Sequence, residues 1–397
     1  MAPPSVSLSP LLLAIAGQFL FGIILALPGT LFGISSWTTP LALDIPAQAR
    51  MLVIFFTGQL TFTAAAGALV DRAGCERVLA GGAALLGAAF FVLSHAATSS
   101  AVYATAVLLA AGGASVNAAT NTLVSISYGS RRGAMLSVMA LFGGVGALVA
   151  PLLFLGPPNP AGVATRLQGL AACAVLAAVA PLAGGPRATV EAVHSAPWAA
   201  LGLLRDRWLV GLVLLLLLDF GVEAVLAGWT AVYAITILPG SSGTQVVALY
   251  WAGLIVGRMC APWVLVRSSK LLVVLVASAL VAISVTCMAF AQTLPALIAA
   301  VTVAGFGVGP LAPTIVAVAG DRYPRGTGSV LGLLLSMAQL GGMIFPWVQA
   351  RIAVEAGLRV SLAVPIAGAL AIAAGAAAIR RRRALTAATP VAPEAAP

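Results

Sequence analysis

The sequence predicts an all-α membrane protein whose twelve transmembrane helices form two pseudo-symmetric six-helix bundles. Three observations predict it: a shortage of charge, long unbroken apolar runs, and a repeat at half the chain length. Of the 397 residues, 8% are charged and 61% are hydrophobic, and the mean hydropathy is +1.10. A soluble chain carries about a quarter of its residues charged to cover its surface. The bilayer is therefore the expected solvent, and each helical span needs about 20 apolar residues. Closed barrels also cross membranes, but their strands alternate apolar and polar residues. The continuous runs here point to helices.

The polar and Pro/Gly punctuation divides the chain into spans near 10–34, 50–70, 78–97, 101–124, 134–156 and 164–183. A second set follows near 208–237, 244–265, 270–292, 294–318, 327–348 and 357–379. The first 34 residues are too long and too apolar for a cleaved signal peptide, so they read as a short tail plus a span. The sustained polar character of 184–206 marks a cytoplasmic linker. The expected organisation is a six-helix bundle over 1–183, the linker, a second bundle over 207–379, and a disordered cytoplasmic tail over 380–397.

A formal charge of +10 in a soluble protein would point to nucleic acid. In a membrane protein it points to Arg-rich cytoplasmic loops, so no nucleic-acid partner is expected. One set of loops holds Arg72, Arg77, Arg131, Arg132, Arg187, Arg205, Arg207, Arg267, Lys270, Arg322, Arg325 and Arg380 to Arg383, which is 15 of the 20 basic residues. The other set holds Arg50, Arg166, Arg351 and Arg359. Both termini are thus expected in the cytoplasm, the number of spans is even, and a plasma (inner) membrane is the expected location. Cys75, Cys173, Cys260 and Cys287 are scattered without a CxxC pair, and His95 and His194 sit near span ends. Neither a metal site nor a disulfide framework is expected. No cofactor is expected either.

The repeat supports the two halves. The basic loop at Arg132-Gly133 leads into a span ending GALVAP at Gly146 to Pro151, and Arg325-Gly326 leads into one ending GGMIFP at Gly341 to Pro346. The offset is about 195 residues at the same topological position. Two parallel six-helix halves with a cavity between them at mid-membrane is a common secondary-transporter architecture.

The segment GALVDRAGCER, from Gly67 to Arg77, resembles the cytoplasmic signature of the major facilitator superfamily. Gly67, Asp71, Arg72, Gly74 and Arg77 fill the pattern, and Cys75 replaces a usual basic position. The resemblance implies the major facilitator fold and a cytoplasmic gate in which Gly67 permits close helix approach. Asp71 would face a helix N-terminus, and Arg72 and Arg77 would make charge-assisted bonds. Arg258, in the eighth span, is grouped with this gate. The alternative for the loop is simple positive-inside bias.

More local segments resemble the fucose-permease-type sugar:proton symporter branch. They are NTLVSISYG from Asn121, FGVEAVLAGWTAVY from Phe220 to Tyr233, YWAGLIVGR from Tyr250 to Arg258, and GVGPLAPTIVAVAGDRYP from Gly307 to Pro324. This resemblance implies a monosaccharide as substrate and proton symport. The chain departs from the branch in having no acid in the first span, and amides instead of an acid in the fourth.

Among ten acidic residues, Asp219 and Glu223 alone lie deep in a span. Four residues apart, they share one helical face, roughly 17 and 23 Å from the start of the span. An ionised carboxylate there costs several kcal/mol unless paired or hydrated, which marks both as proton-coupling candidates. For Asp219 the alternative is a structural ion pair with Arg258. Sugars are held by planar amides that bridge hydroxyls and by aromatic faces. The candidates are Gln18, Gln59, Asn117, Asn121 and Gln339, with Trp229, Tyr233 and Trp251; Trp37 reads as an interfacial anchor. For the amides, interhelical hydrogen bonding is the alternative. Pro28, Pro151, Pro310, Pro313 and Pro346, with Gly253/Gly257 and Gly305/Gly309, read as packing and bending elements.

The expected function is secondary transport of a small polar solute, a monosaccharide first, with protons and the lipid bilayer as further partners and a monomer as the working unit. The alternatives are sugar uniport, proton-coupled efflux of amphipathic compounds, and a non-transporting receptor. Drug antiporters usually carry a GPxxGG-like run in the fifth span, where this chain has GGVGALVAP. No P-loop, metal cluster or nucleophilic triad appears, so neither an ATP-driven pump nor an enzyme is indicated.

Overall fold

A computed structural model describes residues 8–128, 132–156, 159–182, 205–323 and 327–388. Among the described residues there are fifteen α-helices: α1 (Leu8–Phe32), α2 (Ser35–Thr38), α3 (Ile45–Ala73), α4 (Cys75–Ser94), α5 (Ser99–Tyr128), α6 (Arg132–Leu153), α7 (Pro160–Val179), α8 (Arg207–Ile237), α9 (Gly243–Arg267), α10 (Lys270–Phe290), α11 (Leu294–Val308), α12 (Leu311–Arg322), α13 (Thr327–Ala356), α14 (Leu358–Ser361) and α15 (Ala363–Ala388). No strand occurs among the described residues. Among the described residues twelve spans are long and apolar enough to cross a membrane, with α11 and α12 together making the tenth and α14 with α15 the twelfth.

Local chemistry starts and stops these helices. Asp44 caps α3 by accepting the Ala47 N–H at 2.9 Å, with Pro46 in the first turn, and Asp206 caps α8 by accepting the Trp208 N–H at 2.8 Å. Such caps satisfy amide donors that a helix start leaves free. The tight turn from α3 to α4 needs φ +87° at Gly74, a conformation that penalises any Cβ.

The helices pair in the same way in each half. In the first half α1 packs on α6, α3 and α4 on α5, and α4 on α7. In the second, α8 packs on α13, α9 and α10 on α11, and α10 on α15. The repeated GALVAP and GGMIFP segments supply matching close contacts. A Cβ on Gly146 would stand 2.0 Å from the Phe19 carbonyl oxygen, and one on Gly341 would stand 1.8 Å from that of Leu217. Bare backbones meet at both places, the close approach that small residues permit between membrane helices.

Three expectations need correction here. The tail does not begin at 380, because α15 continues through Arg380 and Arg381 to Ala388. Ala, Leu and Arg are strong helix formers. Trp37 is not an interfacial anchor: it is 7% exposed and packed in the core, whereas Trp263 is 71% exposed. The eleventh span does not stop near 348 but runs to Ala356 through Pro346, since neighbouring helices offset a lost backbone bond in a membrane bundle. The linker assigned to 184–206 lies largely outside the described residues.

The halves meet through α1 with α8 and α9, α3 with α13, and α6 with α9. At the end of the bundle that carries Trp37, Gly29 abuts Ala227 and Gly33 abuts Ala231. At mid-height, Phe56 lies on Gly342, Thr57 Oγ1 is 3.1 Å from Met343 Sδ, and Ile255 lies on Gly144. These contacts run from mid-height to the Trp37 end. Two apolar grooves, one around Gly257, Cys260 and Leu280 and one around Leu218, Phe345 and Ala367, lie within the second half.

Candidate functional site

The polar side chains of the first half gather where α1 crosses α5. Gln18 donates from Nε2 to Asn117 Oδ1 at 2.9 Å and to Thr120 Oγ1 at 3.0 Å. Asn121 donates from Nδ2 to the same Asn117 Oδ1 at 2.8 Å and to the Asn117 carbonyl at 2.7 Å. The spacing of four residues on α5 makes this possible, since i and i+4 share a face. The result is a neutral chain, Asn121 to Asn117 to Gln18 to Thr120. Gln59 on α3 lies against Gly113 of α5, fully buried, and its Nε2 has no hydrogen-bond partner in the described structure. Gln339 is half-buried on α13.

The second half concentrates charge instead. Asp219 is 0% exposed, and neither of its carboxylate oxygens has a hydrogen-bond partner in the described structure. Glu223, one turn further along α8, is half-buried. Both lie within electrostatic reach of Arg258 on α9, and Tyr250 is within reach of all three. The ion pair considered for Asp219 is not formed at contact distance. Lys270 with Asp321, at 2.6 Å, is the one salt bridge among the described residues. Arg258 turns its Nε to the Gly309 carbonyl at 3.4 Å.

That carbonyl is available for a specific reason. In a continuous helix the N–H four residues on would bond it, but position 313 is a proline and has no N–H. Pro310 likewise leaves the Phe306 carbonyl without its donor. Both carbonyls face α9: a Cβ on Gly257 would stand 2.1 Å from Phe306 O. The tenth span is broken here into α11 and α12.

The aromatic candidates divide. Trp229 and Trp251 are buried with their indole N–H groups unpartnered in the described structure, as is the Tyr250 hydroxyl. Tyr250 and Trp251 stand edge to face, with ring centroids 5.4 Å apart. Buried donors of this kind call for an acceptor. Tyr233 has its hydroxyl already engaged. Its hydroxyl donates to the Met288 carbonyl on α10 at 3.1 Å, which ties two helices of one half together.

The gate group is dispersed. Asp71, Arg72 and Arg77 are exposed, and a Cβ on Gly67 would meet nothing within 4 Å. Gly67 therefore does not serve a close helix approach in this arrangement. Arg258 stands with the acids of the second half and not with this loop. Two residues escape the sequence reading, Thr120 and Tyr250. A hydroxyl beside the Asn117/Asn121 pair and a tyrosine beside Trp251 were the available signals.

At the loop end of the second half, the Tyr323 hydroxyl donates to Asp206 Oδ2 at 2.5 Å. This bond holds the Asp206 carboxyl below its ordinary value and helps push the Tyr323 hydroxyl, already raised by burial, up to about 12. Arg322 stacks 5.8 Å above the Trp208 ring. The contacts fasten the end of α12 to the start of α8.

The comparisons with known proteins agree with this architecture. No protein among curated sequences matches the chain. A crystal structure of the nucleoside transporter NupG superposes with TM-score 0.76 at 13% identity, covering 93% of this chain and 99% of that one. The Escherichia coli fucose:proton symporter FucP superposes with TM-score 0.65 at 17% identity, over 93% and 98% of the two chains. FucP in an outward conformation gives 0.65 at 18% identity, with the same coverage. At these identities the likeness is one of fold. The family profile for the Major Facilitator Superfamily matches residues 11–346, most of the chain. With twelve spans, paired halves and that match, the chain is a multi-pass membrane protein belonging to the Major Facilitator Superfamily.

Proposed function

We propose that this protein moves a small polar solute, a monosaccharide first, together with protons by alternating access. The observation that carries the reading is the pair Asp219 and Glu223. These acids, one fully buried and neither ion-paired, share the middle of the bundle with a neutral amide chain on the opposite half. A carboxylate at such depth costs several kcal/mol unless it is paired or hydrated. Protonation is therefore tied to whichever arrangement opens water to α8. The amides Gln18, Asn117 and Asn121 present donors and acceptors suited to adjacent hydroxyls. Trp229, Trp251 and Tyr250 offer rings and free donors, and Gln59 and Gln339 complete the set. The named likenesses to a fucose:proton symporter and a nucleoside transporter agree, since both solutes present vicinal hydroxyls.

The basic loops support a cytoplasmic side at the Arg72 and Arg322 end, with both termini there, and the plasma (inner) membrane is the proposed location. The contacts around Gly29 and Gly33 then close the outer side. Asp71, Arg72 and Arg77 are free in this state and engage when that side closes.

A thermal-shift screen of purified protein against monosaccharides, nucleosides and amphipathic cations at two pH values tests the substrate class. Stabilisation by a monosaccharide, altered by pH, is expected. Stabilisation by nucleosides alone would move the substrate class, and stabilisation by amphipathic cations alone would favour efflux. A monosaccharide response indifferent to pH would favour uniport.

A further inference from the structure

We propose that the Gly309 carbonyl is a parking site for the Arg258 guanidinium, from which Arg258 moves onto Asp219 or Glu223 when either ionises. The proposal rests on the proton-coupled reading above and adds a positioning residue to it. Three features of the second half carry it. Pro313 removes the only backbone donor that a helix would direct at Gly309 O. Arg258 Nε occupies that acceptor at 3.4 Å, long for a hydrogen bond and so weak enough to be given up. Both oxygens of Asp219 lie buried without a partner although Arg258 is within electrostatic reach.

Arginine keeps its charge throughout, so the cluster always contains one cation that needs an acceptor. With both carboxyls neutral, a backbone carbonyl is the available acceptor. When a proton leaves, the carboxylate is the stronger one, because charge-assisted bonds are about twice as strong as neutral ones. Arg258 then leaves Gly309, and the cluster becomes neutral. Proton uptake reverses this. Proton occupancy is thereby linked to a carbonyl at the α11–α12 break, where the tenth span can bend.

The groups facing Arg258 are few. Asp219 and Glu223 come from α8 and Tyr250 from its own helix, with Cys260 two residues along. Neither α1 nor α11 carries a titratable side chain, and the described side chains of α6 carry none. On α10, Lys270 is engaged with Asp321.

The test is a pH titration of purified protein, following the infrared carbonyl stretch of protonated carboxyl groups, with Asp219→Asn and Glu223→Gln assigning the band. Arg258→Gln removes the cation and is expected to move the midpoint upward by about one pH unit, a tenfold change in the ratio of the two forms. Arg258→Lys keeps the charge and should restore the parent midpoint. Pro313→Ala returns an N–H to Gly309 O, displaces Arg258 toward the acids and should move the midpoint downward. A folded Pro313→Ala protein with the parent midpoint, or with an upward shift, overturns the parking site. If Pro313→Ala does not fold, equal midpoints for Arg258→Lys and Arg258→Gln overturn it instead. A parent protein whose band does not titrate between about pH 5 and 9 overturns the proton-coupled reading, and the parking site with it.

Discussion

The two halves of this transporter share a scaffold and differ in chemistry. Gly146 meets the Phe19 carbonyl as Gly341 meets that of Leu217, and Gly112 meets Gly82 as Gly307 meets Ala277. With Phe19 matched to Leu217, the positions of Asp219 and Glu223 fall on Phe21 and Leu25 of α1. With Gly112 matched to Gly307, Asn117 and Asn121 fall on Ala312 and Val316 of α12. Each half is apolar where the other is polar. The first half presents hydrogen-bonded amides, while the second presents acids, a cation and unpartnered aromatic donors. The difference teaches that packing contacts are repeated because both bundles must close, whereas polar chemistry is not; on the proposed function, solute recognition and proton handling are divided between the halves.

That comparison can be broken at the scaffold first, where the largest effects are expected. Gly146→Val and Gly341→Val each drive a side chain into a backbone carbonyl. Overpacking costs about 1–3 kcal/mol even where side chains can yield, and here backbone must move. Both variants should lose most folded protein, to a similar degree, in a detergent thermal-stability assay. A large difference between them would deny that the halves share one packing solution. Next is recognition. Asn121→Leu should weaken binding of the stabilising solute by tenfold to a hundredfold, about 1–3 kcal/mol. If affinity is unchanged while the melting temperature falls, the amide chain is interhelical glue. Tyr233→Phe should do the opposite, lowering stability by about 1 kcal/mol through the lost Met288 bond while leaving affinity alone.

The smallest effect is expected at the loop-end latch. The Asp206 carboxyl is held below its ordinary value of 3.8 chiefly by the Tyr323 hydroxyl. Its contribution to stability is therefore complete above that pH and fades as pH falls through the depressed native value. Tyr323→Phe should cost under about 1 kcal/mol at neutral pH and flatten the acid side of the stability profile. An unchanged profile would detach Asp206 from the latch.

Much of this was legible in the sequence because the bilayer imposes it. Twelve apolar runs and a one-sided distribution of arginine follow from the cost of polar groups in hydrocarbon, and they leave few alternatives. Asp219 and Glu223 stood out for the same reason. The bond from Gln18 to Asn117, 99 residues apart, depends on how α1 crosses α5, which no local pattern encodes. Trp37 was misplaced because an aromatic near a span end looks the same whether it faces lipid or a neighbouring helix. Pro310 and Pro313 were legible as bending elements, but not as the origin of an acceptor for Arg258. Gly67 stands against open space, so the resemblance that singled it out has no counterpart in a packing contact here.

The central claim is that the second half handles the proton through Glu223, and transport by Glu223→Gln in proteoliposomes tests it most directly. The solute chosen by the binding screen would be followed under an inward proton gradient and, separately, in exchange without one. The account predicts that the parent accumulates solute above equilibrium, whereas the variant only equilibrates it and still exchanges. Accumulation by the variant equal to that of the parent would contradict the account.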